Sequence, residues 1–324
     1  MCLGASRTIS PPEGLLLGKV AEAERLPAAN VTPGALANLL VVYVVWGSTY
    51  LAIRVAVRPE AGVPPFTLGF VRMLVAGTIL LIWGSIRSGT LRTGRRELAI
   101  LAGSGLLLWT GANGMVAWAE QRVESSFAAL LVATIPLWTV AIESLLERRI
   151  PSGRVALALL VGFSGTVVLS APKLRLEAPG DGLPVVMLIL APISWSLGTL
   201  LQQRHPVKMS ARLSAGYQLI FAALGFGILA LVAGEPRPHP TPAALAAWLY
   251  LILFGSVLAF TSYVEVLRSL PVSLAMTYAY VNPVIAVVLG AWLLSEPVSV
   301  STLLGAALVL LSVAVIFRER AVGH

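Results

Sequence analysis

The chain has 324 residues, 57% of them hydrophobic and only 12% charged, with a mean hydropathy of +0.86. A water-soluble fold needs far more polar side chains to cover its surface, so this composition excludes one and makes the bilayer the solvent. The formal net charge of +8 invites a nucleic-acid partner, but its distribution along the chain is that of a topology signal, and no nucleic acid is expected.

Residues 1–33 contain Pro11-Pro12, Pro27 and Pro33 around one short apolar run, Gly14-Leu15-Leu16-Leu17-Gly18. The run is too short and too poorly flanked for a signal peptide, and the segment reads as a flexible cytoplasmic tail. Crossing about 30 Å of hydrocarbon takes roughly 20 mostly apolar residues. Ten stretches meet that need, at approximately 34–57, 65–86, 97–119, 125–146, 153–170, 182–202, 211–233, 243–267, 272–294 and 299–317. Alternating strands of the outer-membrane type are absent, so the spans are expected to be helices. The connections are mostly short and leave no room for a soluble domain.

Arg and Lys set the orientation. Thirteen fall on one side: Arg87, Arg92, Arg95, Arg96, Arg148, Arg149, Arg154, Arg204, Lys208, Arg212, Arg268, Arg318 and Arg320. Five fall on the other: Arg58, Arg122, Lys173, Arg175 and Arg237. The positive-inside rule places both termini in the cytoplasm. The expected location is a multi-pass protein of a bacterial-type inner membrane.

The chain also repeats itself. About 147 residues separate Ile135-Pro136-Leu137 from Asn282-Pro283-Val284, and in that register Val123 to Ala129 meets Leu270 to Met276. Trp46 matches Trp195 at nearly the same offset, and Arg72 falls opposite Gln218. This predicts an all-α integral membrane protein with two five-helix repeats, 34–170 and 182–318, joined by a loop at 171–181 and followed by a cytoplasmic tail at 319–324. Five is odd, so the second repeat enters the membrane upside down relative to the first. Inverted repeats around a central cavity are the mark of secondary transporters.

Val45-Trp46-Gly47-Ser48-Thr49-Tyr50, Pro65-Phe66 with Phe70-Val71-Arg72, and Trp118 with Ser125 to Leu130 and Pro136 carry a family resemblance. In the second half it continues through Tyr263, Ser273 to Ala275, Asn282-Pro283 and Leu294-Ser295-Glu296-Pro297. Over roughly residues 35–318 the chain resembles the EamA family of the drug/metabolite transporter superfamily. The resemblance implies export of small metabolites or drugs, coupled to a proton gradient or to exchange. One departure stands out: the partner of Glu296 is Arg149, with Glu147 two residues early.

Polar side chains inside a membrane cost about 2.5 to 3.5 kcal/mol on insertion scales, so each one asks for a partner or a task. Arg72 lies about 10 Å into the second span, where it either clamps a solute carboxylate or serves a structural ion pair. Trp46 and Trp195 sit deeper than interfacial tryptophans and either line a cavity or pack a core; Trp118, Tyr263 and Tyr278 are weighed the same way. Ser48, Asn113, Gln218 and Asn282 can bind a polar solute or bridge helices. Glu265 and Glu143 are the proton-coupling candidates, although both lie near span ends where water is close. Pro136 and Pro283 are hinge candidates, since each removes a backbone donor from mid-span.

Signals for enzyme chemistry fail. Gly162-Phe163-Ser164-Gly165 lacks an imidazole within the membrane, because His205, His239 and His324 lie in loops or the tail. Asp181 is the lone aspartate and Cys2 the lone cysteine, which removes paired-aspartate magnesium sites and thiolate metal sites. No cofactor is expected. The expected partners are a small-molecule solute and membrane lipid, with a homodimer left open; a broad drug exporter or a non-transporting scaffold or sensor is the alternative reading.

Overall fold

The computed structural model describes residues 32–57, 59–88, 93–122, 125–171, 182–294 and 298–322. Nearly all of the expected tail at 1–33, most of the loop at 171–181, the end of the C-terminal tail and Glu296 lie outside the described residues. Within them every regular element is helical. In chain order these are α1 (Pro33–Val57), α2 (Pro65–Ser88), α3 (Arg95–Ala119), α4 (Ser125–Val132), α5 (Ile135–Glu147) and α6 (Gly153–Ser170), then α7 (Leu183–Arg204), α8 (Ala211–Val232), α9 (Pro242–Ser269), α10 (Val272–Ala275), α11 (Tyr278–Leu294) and α12 (Val300–Val322).

Each expected span is met by helix, and two are broken. The fourth span parts at Ala133 and Thr134 into α4 and α5, and the ninth at Met276 and Thr277 into α10 and α11. Pro136 sits in the first turn of α5, where its missing N–H costs nothing. Pro283 lies inside α11, which continues through it. Nine helical stretches among the described residues are long and apolar enough to cross a membrane. The stretch Gly153–Leu169, in the fifth expected span, is apolar but shorter.

Side chains close several helix starts. Ser152, Ser210 and Thr241 accept from Val155, Leu213 and Ala244 backbone N–H groups, and Pro242 follows the last of these caps. At α2 the cap comes from afar: the Glu235 carboxylate accepts from Phe66 N at 2.9 Å, Thr67 N at 2.7 Å and the Thr67 hydroxyl at 2.7 Å. A negative charge there also opposes the positive end of the helix dipole. Nearby, His239 N donates to Gly62 O at 2.8 Å and Thr241 N to Ala61 O at 3.2 Å. Gly62 has φ +72°, and a Cβ there would meet His239 O at 2.3 Å, so the turn requires glycine.

The helix pairings recur between the two halves. α2 runs along α8 and α6 along α12, while α1 packs on α9 and α11 as α7 packs on α3 and α5. Replacing each expected span by the one five places away maps these pairings onto themselves. Both self-paired contacts are made by glycine. A Cβ on Gly305 would stand 2.4 Å from Leu169 N, and one on Gly165 would stand 2.9 Å from Gly305 O. Between α2 and α8, Cβ atoms on Gly77 and Gly216 would each come within 3.1 Å of the opposite backbone. Lipid tails are as apolar as leucine, so close backbone approach is what holds such helices together. Gly162 and Gly165 serve this contact, and Ser164 beside them is exposed.

Candidate functional site

The two remaining central helices, α3 and α9, are not regular. Each contains an eight-residue π-type segment, Leu106–Asn113 in α3 and Leu251–Leu258 in α9, in corresponding places of the third and eighth spans. Wider turns shift carbonyls out of the i→i−4 ladder and hold them toward neighbours. Leu107 O accepts from the Ser194 hydroxyl at 2.8 Å, and Gly255 O accepts from Trp46 Nε1 at 3.0 Å. These contacts mirror each other: a side chain of α7 binds the π segment of α3, and one of α1 binds that of α9.

An aromatic cluster fills the space between them. Trp46 meets Trp195 edge to face at 5.5 Å and Tyr278 at 4.9 Å, and Trp109 meets Trp195 at 5.8 Å and Phe260 at 5.0 Å. Beside this cluster a cavity runs toward the end of the bundle where α1 and α3 finish and α2 and α7 begin. Its walls include Trp46, Thr49 and Ile53 of α1, Arg72 of α2, Trp109 and Asn113 of α3 and Glu120 just past its end, Pro192 and Trp195 of α7, Ile135 at the start of α5, and Tyr278 and Asn282 of α11.

Arg72 is the cavity's one cation among the described residues, and it is 4% exposed. Its Nε donates to Ser256 Oγ at 2.8 Å, and its guanidinium carbon lies 5.1 Å from the centre of the Trp109 ring. Ser256 belongs to the π segment of α9 and Trp109 to that of α3, so both irregular turns hold one side chain. Gly255 makes room for it, since a Cβ there would be 3.0 Å from Nη2. Among the described residues no carboxylate lies within ion-pair distance of this guanidinium; the pairs present are Arg154 with Glu319 and Arg204 with Glu147. A buried charge held by neutral groups is costly unless something else completes it.

Of the residues singled out in the sequence, the cavity gathers Trp46, Arg72, Asn113, Trp195, Tyr278 and Asn282. Asn113 spends its amide on Leu108 O at 3.2 Å. With its amide oriented to suit its surroundings, Asn282 donates to Tyr43 O and Tyr278 O and so ties α11 to α1. The others lie off the cavity walls, each for a physical reason. Ser48 bonds Val45 O and the Tyr250 hydroxyl. Trp118 stacks under Arg122, whose guanidinium is 4.1 Å from the ring centre. Gln218 donates to Gln202 Oε1 at 2.9 Å, and Tyr263 is fully buried with its hydroxyl on Thr199. Glu265 stands one turn from Arg268 on α9 and interacts with that charge, and Glu143 is half-buried on α5. Pro136 and Pro283 flank the cavity residues Ile135 and Asn282.

Sequence reasoning passed over Trp109 and Ser256. The depth argument that selects Trp46 and Trp195 applies equally to Trp109, in the middle of the third span. Ser256 carries no comparable signal, because its role depends on a π segment that hydropathy does not encode.

The sequence profile described as the EamA-like transporter family matches this chain twice, at residues 33–171 and 182–318. The uncharacterized inner membrane transporter YedA of Escherichia coli K12 is 35% identical over 268 residues, covering 81% of this chain and 83% of that protein. An uncharacterized transporter of Clostridium kluyveri is 22% identical over 78% of this chain and 83% of its own. One crystal structure superposes with a TM-score of 0.72 at 21% identity, over 89% of this chain and 97% of that chain, which shows a shared fold. Matched in both halves, with a relative of this identity over most of its length, the chain belongs to the EamA-like transporter family.

Proposed function

We propose that the protein exports small amphipathic metabolites, amino acids or related carboxylates, by alternating access across a bacterial inner membrane, driven by protons or by exchange. The observation that carries this reading is Arg72: a guanidinium in a membrane-buried, tryptophan-lined cavity, its ε nitrogen and ring face engaged and no described carboxylate beside it. A solute carboxylate would complete it with paired charged hydrogen bonds, and the indole walls would take an apolar or ammonium-bearing remainder. The pairing of helices under exchange of the halves supports two five-helix repeats, and inverted orientation follows from their odd span number.

The cavity extends toward the end of the bundle poor in Arg and Lys, which the positive-inside rule assigns to the extracytoplasmic side. On the other side of the aromatic cluster, Tyr43 bonds Thr277 at 2.6 Å and Tyr263 bonds Thr199. This arrangement fits an outward-facing state closed toward the cytoplasm. The breaks at Ala133–Thr134 and Met276–Thr277 are natural places for the rocking motion to be absorbed, with Pro136 and Pro283 beside them. Glu265 and Glu143 remain the proton-coupling candidates.

The test is flux in proteoliposomes across a panel of amino acids and cationic drugs, with and without a pH gradient, comparing wild type with Arg72→Ala. Carboxylate flux lost in a correctly inserted mutant is the expected result. Drug flux indifferent to Arg72 would instead favour the broad drug exporter, the reading that the aromatic walls alone support. Intact protein whose phenotype survives both Arg72→Ala and Trp46→Ala would favour the scaffold.

A further inference from the structure

We infer that Trp109 is a specificity-determining donor of the same cavity: its indole N–H, together with the free edge of Arg72, forms a carboxylate site that opens when the solute enters. The inference rests on reading the cavity as a solute site and names a residue and a chemistry within it.

Trp109 is 2% exposed and its Nε1 has no acceptor. A buried donor left unpaired forfeits about 1 to 3 kcal/mol, and most tryptophans avoid this cost. In this same cluster Trp46 Nε1 finds Gly255 O, and outside it Trp248 Nε1 finds Leu68 O at 3.2 Å. Two indoles of the cluster, Trp109 and Trp195, lack an acceptor at Nε1, and Trp109 is the one whose ring lies under Arg72. Beside the Trp109 ring the polar groups are therefore donors in excess: a guanidinium with Nε engaged on Ser256, and an indole N–H. What they lack is a charged acceptor oxygen within reach, since Glu120, on the same cavity wall, is not within ion-pair distance of Arg72.

A carboxylate supplies that need. One oxygen can take Arg72 and the other the indole N–H, and the planar anion matches donors that come from two fixed planar groups. Ser256 and the ring face of Trp109 restrict Arg72, so the fork is held in place before the solute arrives, which cuts the ordering cost of binding. Phosphate esters and dicarboxylates fit less well, because the remaining wall is aromatic and apolar and offers no second cation among the described residues.

The test uses full-length protein labelled with ¹⁵N-tryptophan in detergent micelles or nanodiscs, titrated with acetate and benzoate. The Trp109 indole resonance is assigned by its disappearance in Trp109→Phe, a change that keeps an aromatic ring under Arg72 and removes only the donor. A carboxylate-dependent downfield shift of that resonance, abolished in Arg72→Ala, is the expected result. Trp109→Phe should then weaken carboxylate binding about tenfold while leaving binding of the matching neutral methyl ester within twofold. Carboxylate stabilisation that depends on Arg72 but leaves the Trp109 indole unmoved overturns this inference and spares the cavity reading. No response to either anion, in wild type or in Arg72→Ala, overturns both.

Discussion

The contact between α6 and α12 and the space between α3 and α9 each lie between corresponding spans of the two halves, and they are built on opposite rules. In the first, glycines bring backbones so close that a single added Cβ on Gly305 would stand 2.4 Å from Leu169 N and 2.6 Å from Gly165 O. The polar side chains there are satisfied within the pair: Ser312 donates to Ala158 O at 2.6 Å and Thr166 to Gly162 O at 3.1 Å. In the second, the helices widen into π segments, large rings fill the space between them, and two buried indole N–H groups have no acceptor. A membrane protein has little hydrophobic drive between its helices, so full contact marks what must stay joined. Incomplete contact, kept at a cost in stability, marks where something is meant to enter.

The strongest way to break the comparison is to put a side chain into the closed contact. Gly305→Leu should cost more than about 3 kcal/mol, since the clash is with backbone and cannot be relieved by a rotamer change. The expected outcome is loss of monodisperse protein on size-exclusion chromatography. If α6 and α12 tolerate it, the contact is not the rigid element described. In the open region the sign reverses. Arg72→Met removes a buried charge while keeping bulk, and should raise stability by about 1 to 3 kcal/mol while removing carboxylate flux. Thermal unfolding together with flux checks it, and a destabilised Arg72→Met would mean that the charge has a structural partner.

Much of this fold is legible in the sequence because hydropathy and charge encode it directly. The apolar runs mark the helices to within a few residues, since bilayer thickness sets their length and backbone satisfaction sets their type. Family membership follows from motif order and duplication. The site is legible only in part. Arg72, Trp46 and Trp195 are conspicuous because a charge or an indole at that depth is unusual. Ser48, Trp118, Gln218 and Tyr263 look the same on paper, but helix rotation and local partners turn them to other uses. The π segments are hidden altogether: Leu106 to Asn113 reads as an ordinary apolar run, and the wide turn lies where α3 packs on α7 and α8. With the two π segments go Trp109 in α3 and Ser256 in α9.

The seal on the far side of the cluster gives a smaller test. Tyr263→Phe deletes the hydroxyl bonded to Thr199 and leaves the ring packed on Trp46 and Trp195. Stability should fall by about 1 kcal/mol, the net worth of one buried hydrogen bond. If this bond helps to close the cytoplasmic side, the mutant population should also shift toward the inward-open state. Cysteine accessibility on that side should rise relative to Tyr280→Phe, which removes a comparable bond, to Leu159 O, between α11 and α6. Equal effects of the two changes would reduce the Tyr263 bond to ordinary packing.

Gln218 supplies the finest contrast, because it occupies the place in α8 that Arg72 occupies in α2. It donates to Gln202 Oε1, while its own oxygen and the Gln202 amide nitrogen remain without partners. Gln218 gains one bond there and leaves its own buried acceptor wanting, so its two terms nearly cancel, the Gln202 nitrogen being unpaired with or without it. Gln218→Met should therefore change stability by less than about 1 kcal/mol in either direction. If the solute acts on Arg72 and not on its register partner, carboxylate flux should stay within about twofold of wild type. A large loss of flux at unchanged stability would mean that the correspondence of the two halves extends to function. Gln218 would then be expected to receive the solute when the cavity opens toward the cytoplasm, the part proposed for Arg72 when it opens the other way.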